Sequence, residues 1–445
     1  MSDRRPAALV LALAALLGSC STNEPVDVTP VDIPAASMAY VVLAWNDLGM
    51  HDLNATYAGE VYAPPYNTLR AQVVRRGDPP EVVTSGVTLE YSIVGNTYSY
   101  GKATLDPVRS YAGFWDASLD LFGVALAPDT GLNFVDPDVH NGLTGTMLAK
   151  DGYFEATGVP VVPIDDAGTW DPYQVAEIVV RDASTGAELV RTRATVPVSD
   201  EINCTKCHGQ VIDDVEIGSV LAEHDDKEAT TFVAEGLPVN CSDCHGSPIL
   251  GQTGEGTSGK YLSYAIHSFH YTAEATCYDC HPGETTLFHR STAHTTADGN
   301  CDSTDCHGGL STVASTIYNG RVPWESEPKC STCHLFVAEV DTGTVLYRNA
   351  VGHGGLSCAA CHGSPHAQVP TDNDKDGYQS LQYQSKALSL GSCRVCHASS
   401  KGGGLIDVVL AHGGAQPTAC NVCHTAGIQT NNPYEFPHRF QQKRR

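Results

Sequence analysis

A cysteine, a second cysteine three positions on and a histidine directly after it recur through the second half of this 445-residue chain. Seven copies are regular. They are Cys204, Cys207, His208; Cys241, Cys244, His245; Cys277, Cys280, His281; Cys330, Cys333, His334; Cys358, Cys361, His362; Cys393, Cys396, His397; and Cys420, Cys423, His424. An eighth is longer: Cys301-Asp302-Ser303-Thr304-Asp305-Cys306-His307. Sixteen of the seventeen cysteines are used in this way, and only Cys20 stands outside. Two thiols at this spacing reach the two vinyl groups along one edge of a haem, and the histidine that follows lies beneath the ring as an iron ligand. Zinc ribbons and thioredoxin-like sites also use paired cysteines, but neither needs histidine at the next position. Eight sites without exception predict eight haems c, with the motif histidines as proximal ligands. The longer loop reaches the same two vinyls.

Residues 200–445 must hold all eight, at about 31 residues for each haem, too little chain to build a conventional core around every one. The haems themselves then form the core, and the protein is predicted to be loop-rich, with short helices around the motifs. The sixth position of each iron decides what such a domain does. The chain has four Met, none beyond Met147, so methionine ligation is excluded within this domain. Of its 19 His, eight belong to motifs and nine more lie in the same domain: His224, His267, His270, His289, His294, His353, His366, His412 and His438. Nine candidates for eight distal positions predict bis-histidine irons, which are coordinatively full and carry electrons without binding substrate.

Residues 38–199 contain no cysteine. Val87, Leu89, Tyr91 and Ile93 alternate with more polar residues, which places them on one face of a strand. The runs 176–181 and 187–196, joined through Gly186, predict a strand pair. An antiparallel β-sandwich-like domain is expected here, acting as a docking or spacer unit. His51, in the run Trp45-Asn46-Asp47-Leu48-Gly49-Met50-His51, and His140 read as structural histidines, with a distal haem ligand as the alternative.

Residues 1–19 have a basic start and a short apolar run, Ala7 to Leu17, the pattern of a secretory signal. Small residues before Cys20 match a lipoprotein processing site, so Cys20 is the expected lipidation point. Ser21, not Asp, follows it, which favours the outer membrane, at the cell surface or on the periplasmic face. Residues 20–37, with Pro25, Pro30 and Pro34, read as a tether. The net charge of −25, from 26 Lys plus Arg against 51 Asp plus Glu, excludes nucleic-acid binding as the main purpose. Asp372, Asp374 and Asp376 match the opening of a calcium loop. Tyr383 holds the twelfth position in place of Glu, so a solvated acidic turn is the alternative. Arg439, Lys443, Arg444 and Arg445 form a basic tail.

Several segments carry a resemblance. Ile266-His267-Ser268-Phe269-His270-Tyr271, Pro323-Trp324-Glu325, and the stretch from Tyr347 through His353 to Gly363-Ser364-Pro365-His366 are similar to outer-surface multihaem c-type cytochromes of metal-respiring bacteria, as is Asn46 to His51. The resemblance implies a bis-histidine haem chain conducting electrons across the cell envelope to other cytochromes or redox proteins, or to metal oxides. It also implies His267, His270, His353 and His366 as distal ligands. Some members of that family self-assemble into filaments; a lipid anchor argues against free growth of one. Two other readings stay open. One is an octahaem reductase of the nitrite, hydroxylamine or tetrathionate class, with one open iron and Arg290, Tyr318 or Lys329 near it. The other is a cell-surface binding module with a haem relay.

Overall fold

Val87, Leu89, Tyr91 and Ile93 are buried, while Thr88 and Glu90 are exposed, in the strand Val87–Ile93. That alternation is the sequence pattern of a strand with one face on a core. The computed structural model describes residues 38–398, except 78, 104–109, 213–214, 237, 273–274, 284, 293, 295–300 and 331–344. The signal segment 1–19, the tether with Cys20, and Cys333, His334, His412, Cys420, Cys423, His424, His438 and the basic tail lie outside the described residues.

Twelve strands run through the first half: β1 Tyr40–Asn46, β2 His51–Asp52, β3 Glu60–Val61, β4 Asn67–Arg75, β5 Glu81–Val83, β6 Val87–Ile93, β7 Thr144–Thr146, β8 Leu148–Ala149, β9 Phe154–Val159, β10 Val175–Asp182, β11 Glu188–Thr195 and β12 Val198–Ser199. One sheet has the order β1-β4-β9-β8, with β5 also on β4; the other has the order β11-β10-β6-β7. Pairing within both is antiparallel. The hairpin β10–β11 runs in register from Val175 opposite Thr195 to Val180 opposite Val190. The apolar faces of both sheets share one core, with Val42, Leu43, Leu69, Ala71, Leu89, Ile178 and Val180 fully inside it.

That core does not stop at residue 199. Ala359, Ala360, Tyr383 and Val395 belong to it. A short parallel pairing also crosses the boundary, β3 with Val239–Asn240. The expected division at 199/200 is sharp in cysteine content, but the packing runs through it.

The outer edge of β1 shows how the halves lock. Its backbone pairs with β4 on one side only. On the other side, the amide of Val42 donates to Tyr383 Oη at 3.3 Å, the amide of Ala44 to Gln379 Oε1 at 2.8 Å, and the amide of Asn46 to Ser364 Oγ at 3.2 Å. Tyr383 Oη and Gln379 Nε2 donate back to the carbonyls of Val42 and Ala44. Both side chains come from the helix Tyr378–Gln384. Four residues of helix rise about 6 Å and two residues of strand about 6.6 Å, so positions 379 and 383 match successive outward-facing peptides. On the same helix Gln382 serves β11, accepting from Thr192 Oγ1 at 2.7 Å and donating to the Arg191 carbonyl at 2.9 Å. Exposed sheet edges invite mispairing; here one helix covers the edge strands of both sheets.

The second half is built from short pieces, including the helices Val220–Glu228, Leu262–His270, Cys277–Cys280, Leu310–Tyr318 and Cys358–His362. No described helix is long and apolar enough to cross a membrane.

Candidate haem-iron sites

Three of the motif turns begin with a side-chain cap, whereas the turn Cys358–His362 has none at Ser357. Asn203 Oδ1 accepts from the Thr205 amide at 3.1 Å, and Asn240 Oδ1 from the Ser242 amide at 3.2 Å. Thr276 and Asp279 form a reciprocal capping box. A side-chain oxygen on the first free amides starts a single helical turn. The turn puts residues three and four apart on one face, so the two cysteines and the histidine point together. The amides of His208, His245 and His281 donate to the carbonyls of Cys204, Cys241 and Cys277 at 2.9, 3.0 and 2.7 Å. In the longer motif the His307 amide donates to the Cys301 carbonyl at 3.3 Å. The two extra residues bulge out and the ends of the loop keep the same relation. In all four motifs the first cysteine is half-buried and the second exposed.

Burial pushes the Cys204, Cys241, Cys358 and Cys396 thiols up to about 12. Redox-active paired cysteines need the opposite, a depressed thiol. No group of three or more His, Cys, Asp or Glu suited to a bare metal ion occurs among the described residues.

The histidines are arranged in pairs. His208 faces His270 with ring centres 6.2 Å apart, His245 faces His224 at 6.4 Å, and His281 faces His267 at 6.0 Å. His307 faces His366 at 6.1 Å, and His397 faces His353 at 6.3 Å. Each of these five pairs joins a motif histidine to one outside the motifs. Two imidazoles on opposite sides of one metal ion stand roughly 6 Å apart between centres, from two metal–nitrogen bonds of about 2 Å and the half-width of each ring. The angle between ring planes ranges from 18° to 85° across the pairs, which axial ligation permits because the rings turn freely about the shared axis.

In five of these histidines Nδ1 is held by another partner, leaving Nε2 for a metal. His267 Nδ1 donates to the Ser263 carbonyl at 2.7 Å and His270 Nδ1 to the Ile266 carbonyl at 2.8 Å, each one turn back on the helix Leu262–His270. His208 Nδ1 donates to the Gly218 carbonyl at 3.1 Å, and His245 Nδ1 to the Lys260 carbonyl at 3.3 Å. His224 Nδ1 donates to Thr230 Oγ1 at 2.9 Å, and that hydroxyl donates to Asp225 at 2.6 Å. Such outer partners fix tautomer and ring orientation in metal-ligating histidines. Burial foremost, then His307 and His289, holds the His366 imidazole down to about 3. Burial also lowers His267 and His245. Neutral imidazole is the ligating form. Exposed Ile266, Phe269 and Tyr271 flank the two histidines of this helix, an apolar surround of the kind a flat macrocycle needs. Thiols, motif histidine and facing histidine together fit haem c.

The remaining candidates are placed less completely. His289 stands 5.8 Å from His366, between ring centres, and its Nδ1 is buried without a hydrogen-bond partner. His294 Nδ1 lies 3.4 Å from Ser291 Oγ. Cys330, His362 and the backbone of Cys393 are described; Cys333, His334 and the whole of the last motif are not. His51 is buried with Nε2 2.8 Å from Asp47 Oδ1, and His140 Nδ1 donates to the Gly131 carbonyl at 3.1 Å, so both have structural partners. The acidic turn holds Arg290: Asp376 accepts from its Nε at 2.5 Å and Nη2 at 3.0 Å, and the Asp372 amide donates to its carbonyl at 2.9 Å. The Asp374 segment is capped locally by Asn373.

Three contributors are not evident from spacing. The cap residue before the first cysteine is visible in the sequence as Asn203, Asn240 and Thr276, once its role is known. Glu60, whose carboxylate lies near enough to Cys204 and Cys241 to raise both thiols, is far away in sequence and carries no signal. Tyr347, half-buried near Cys330, Cys358 and Cys361, donates to the Gly363 carbonyl at 2.7 Å.

Comparison with protein-family models, with curated proteins and with solved structures finds no match for this chain.

Proposed function

We propose that this chain is an electron-transfer protein carrying eight haems c, anchored at the outer membrane through lipidated Cys20, and serving other redox proteins or extracellular metal oxides. The observation that carries this reading is the set of five facing histidine pairs at the span of one metal ion. Bound haem supplies one-electron chemistry at iron. The chain's own residues do the rest. Paired cysteines would hold each haem, and single helical turns aim the motif histidines. Nδ1 anchors present Nε2 from both sides in the pairs His208/His270 and His224/His245. Two facing histidines would leave a haem iron between them no position for a substrate, which weighs against a reductase at those five sites. The acidic surface, net −25, favours positively charged acceptors and oxide surfaces, with a rate that falls as salt rises.

Haem stoichiometry and EPR on the same oxidised sample test the reading. Eight haems, all low-spin, are expected. A high-spin signal from about one haem in eight would move the assignment to an octahaem reductase. Absence of covalent haem would overturn both.

A further inference from the structure

The histidines that face a motif rarely belong to it in sequence. On the helix Leu262–His270, His267 faces His281 while His270, one turn on, faces His208. One short helix therefore serves the motifs 204–208 and 277–281. The segment 353–366 divides further. His353 faces His397, His362 is the histidine of its own motif, and His366, four residues later, faces His307. Arg290 fixes that last ring: its amide and the amide of Ser291 both donate to the His366 carbonyl, at 2.9 and 3.1 Å.

Other contacts join the remaining neighbours. Glu60 borders both Cys204 and Cys241. Cys301 is close enough to Cys277 and Tyr278, inside the motif 277–281, to raise both of them electrostatically. The Leu390 amide, just before the motif 393–397, donates to the Cys361 carbonyl at 2.8 Å.

We infer that six haem sites stand in a single file ordered 241–245, 204–208, 277–281, 301–307, 358–362 and 393–397, with the segment 353–366 ligating three irons in succession. The order reverses the first two motifs of the chain and otherwise follows it. Cys330 lies near Cys358, in the fifth member of the file. One end of the file is at Cys241 and the other at the motif 393–397. This inference rests on the bis-histidine reading.

The decisive point is which iron His366 serves. His366→Gly is made in the full chain and its spin state read by EPR. The variant is then combined with either Cys301→Ser/Cys306→Ser or Cys358→Ser/Cys361→Ser, each of which deletes one haem. A new high-spin signal of about one haem in eight is expected from the single variant. It should vanish with the Cys301/Cys306 lesion and persist with the Cys358/Cys361 lesion. The reverse pattern overturns the file. His366→Met keeps a sixth ligand where His366→Gly fails to accumulate. The charge-transfer band of its His/Met iron is then followed through the same two lesions: loss with Cys301/Cys306 supports the file, and loss with Cys358/Cys361 overturns it. Wild-type protein without low-spin haem removes the underlying reading, before any variant is made.

Discussion

Arg290 and Asp376 form a two-point ion pair in which neither side chain reaches solvent, at 0% and 4% exposure. Arg290 also donates to the Gly49 carbonyl at 2.8 Å, and Asp376 accepts from Thr195 Oγ1 at 2.7 Å. One pair thus ties the turn before β2, the end of β11 and the strand-like backbone that holds His366. Gly49 itself sits at φ +80°, where an added Cβ would lie 1.8 Å from the Pro365 carbonyl oxygen, so the approach is too close for any side chain.

Arg290→Ala leaves a buried carboxylate without its cation. The expected loss is about 3–5 kcal/mol, read as a drop in the denaturant midpoint. An Arg290→Ala/Asp376→Ala double variant should recover part of it, because no charge is then stranded. Equal losses in the single and double variants would show that the pair does not act as a unit.

Gln379→Ala uncovers both outward-facing groups of Ala44. Each buried group left without a partner costs about 1–3 kcal/mol. Hydrogen exchange at the Ala44 amide should speed up markedly while the amides that β1 pairs with β4 remain slow. Uniform acceleration across β1 would instead mean that the whole sheet has loosened.

Asp52 gives a pH dependence. Burial first, and the Glu201 carboxylate second, push its carboxyl up to about 8, and its Oδ1 is buried without a hydrogen-bond partner. The folded chain therefore keeps a proton that the unfolded chain loses in the ordinary carboxylate range. Stability contributed by this group is complete below that range and declines as pH rises towards 8. In Asp52→Asn that decline should flatten, with the variant gaining most over wild type at neutral and mildly alkaline pH. Parallel stability curves for the two proteins would refute the assignment.

His224→Ala removes the ring facing His245 and leaves haem attachment intact. One low-spin iron of the set should become high-spin and able to bind carbon monoxide, with the haem count unchanged. Unchanged spectra would mean that another side chain fills the position opposite His245.

The motif turns are readable because they are contiguous: two cysteines and a histidine share a single turn, so spacing alone brings them together. Val87 to Ile93 is readable for a similar reason, since a two-residue period survives in any strand with one buried face. What spacing does not encode is which distant histidine crosses to which motif. His267 and His270 look equivalent on paper, yet they face different motifs because a helical turn separates them. His366 adjoins one motif and faces another because Arg290 and Gly49 steer the backbone there. The acidic turn 372–377 has the pattern of an ion loop; the guanidinium that Asp376 meets comes from a residue far upstream, which no local pattern could announce.

The covering of β1 and β11 by the helix Tyr378–Gln384 has a bearing on biosynthesis. Synthesis proceeds from the N-terminus, so both sheets emerge well before the helix that seals their outer strands. Until residues 378–384 have been made and delivered, Val42 and Ala44 present open backbone groups to any passing polypeptide. The late-arriving half thus acts as a chaperone in cis for the early one. Any stall in maturation of the Cys358 or Cys393 motifs, which bracket that helix, leaves the nascent molecule with a sticky flank.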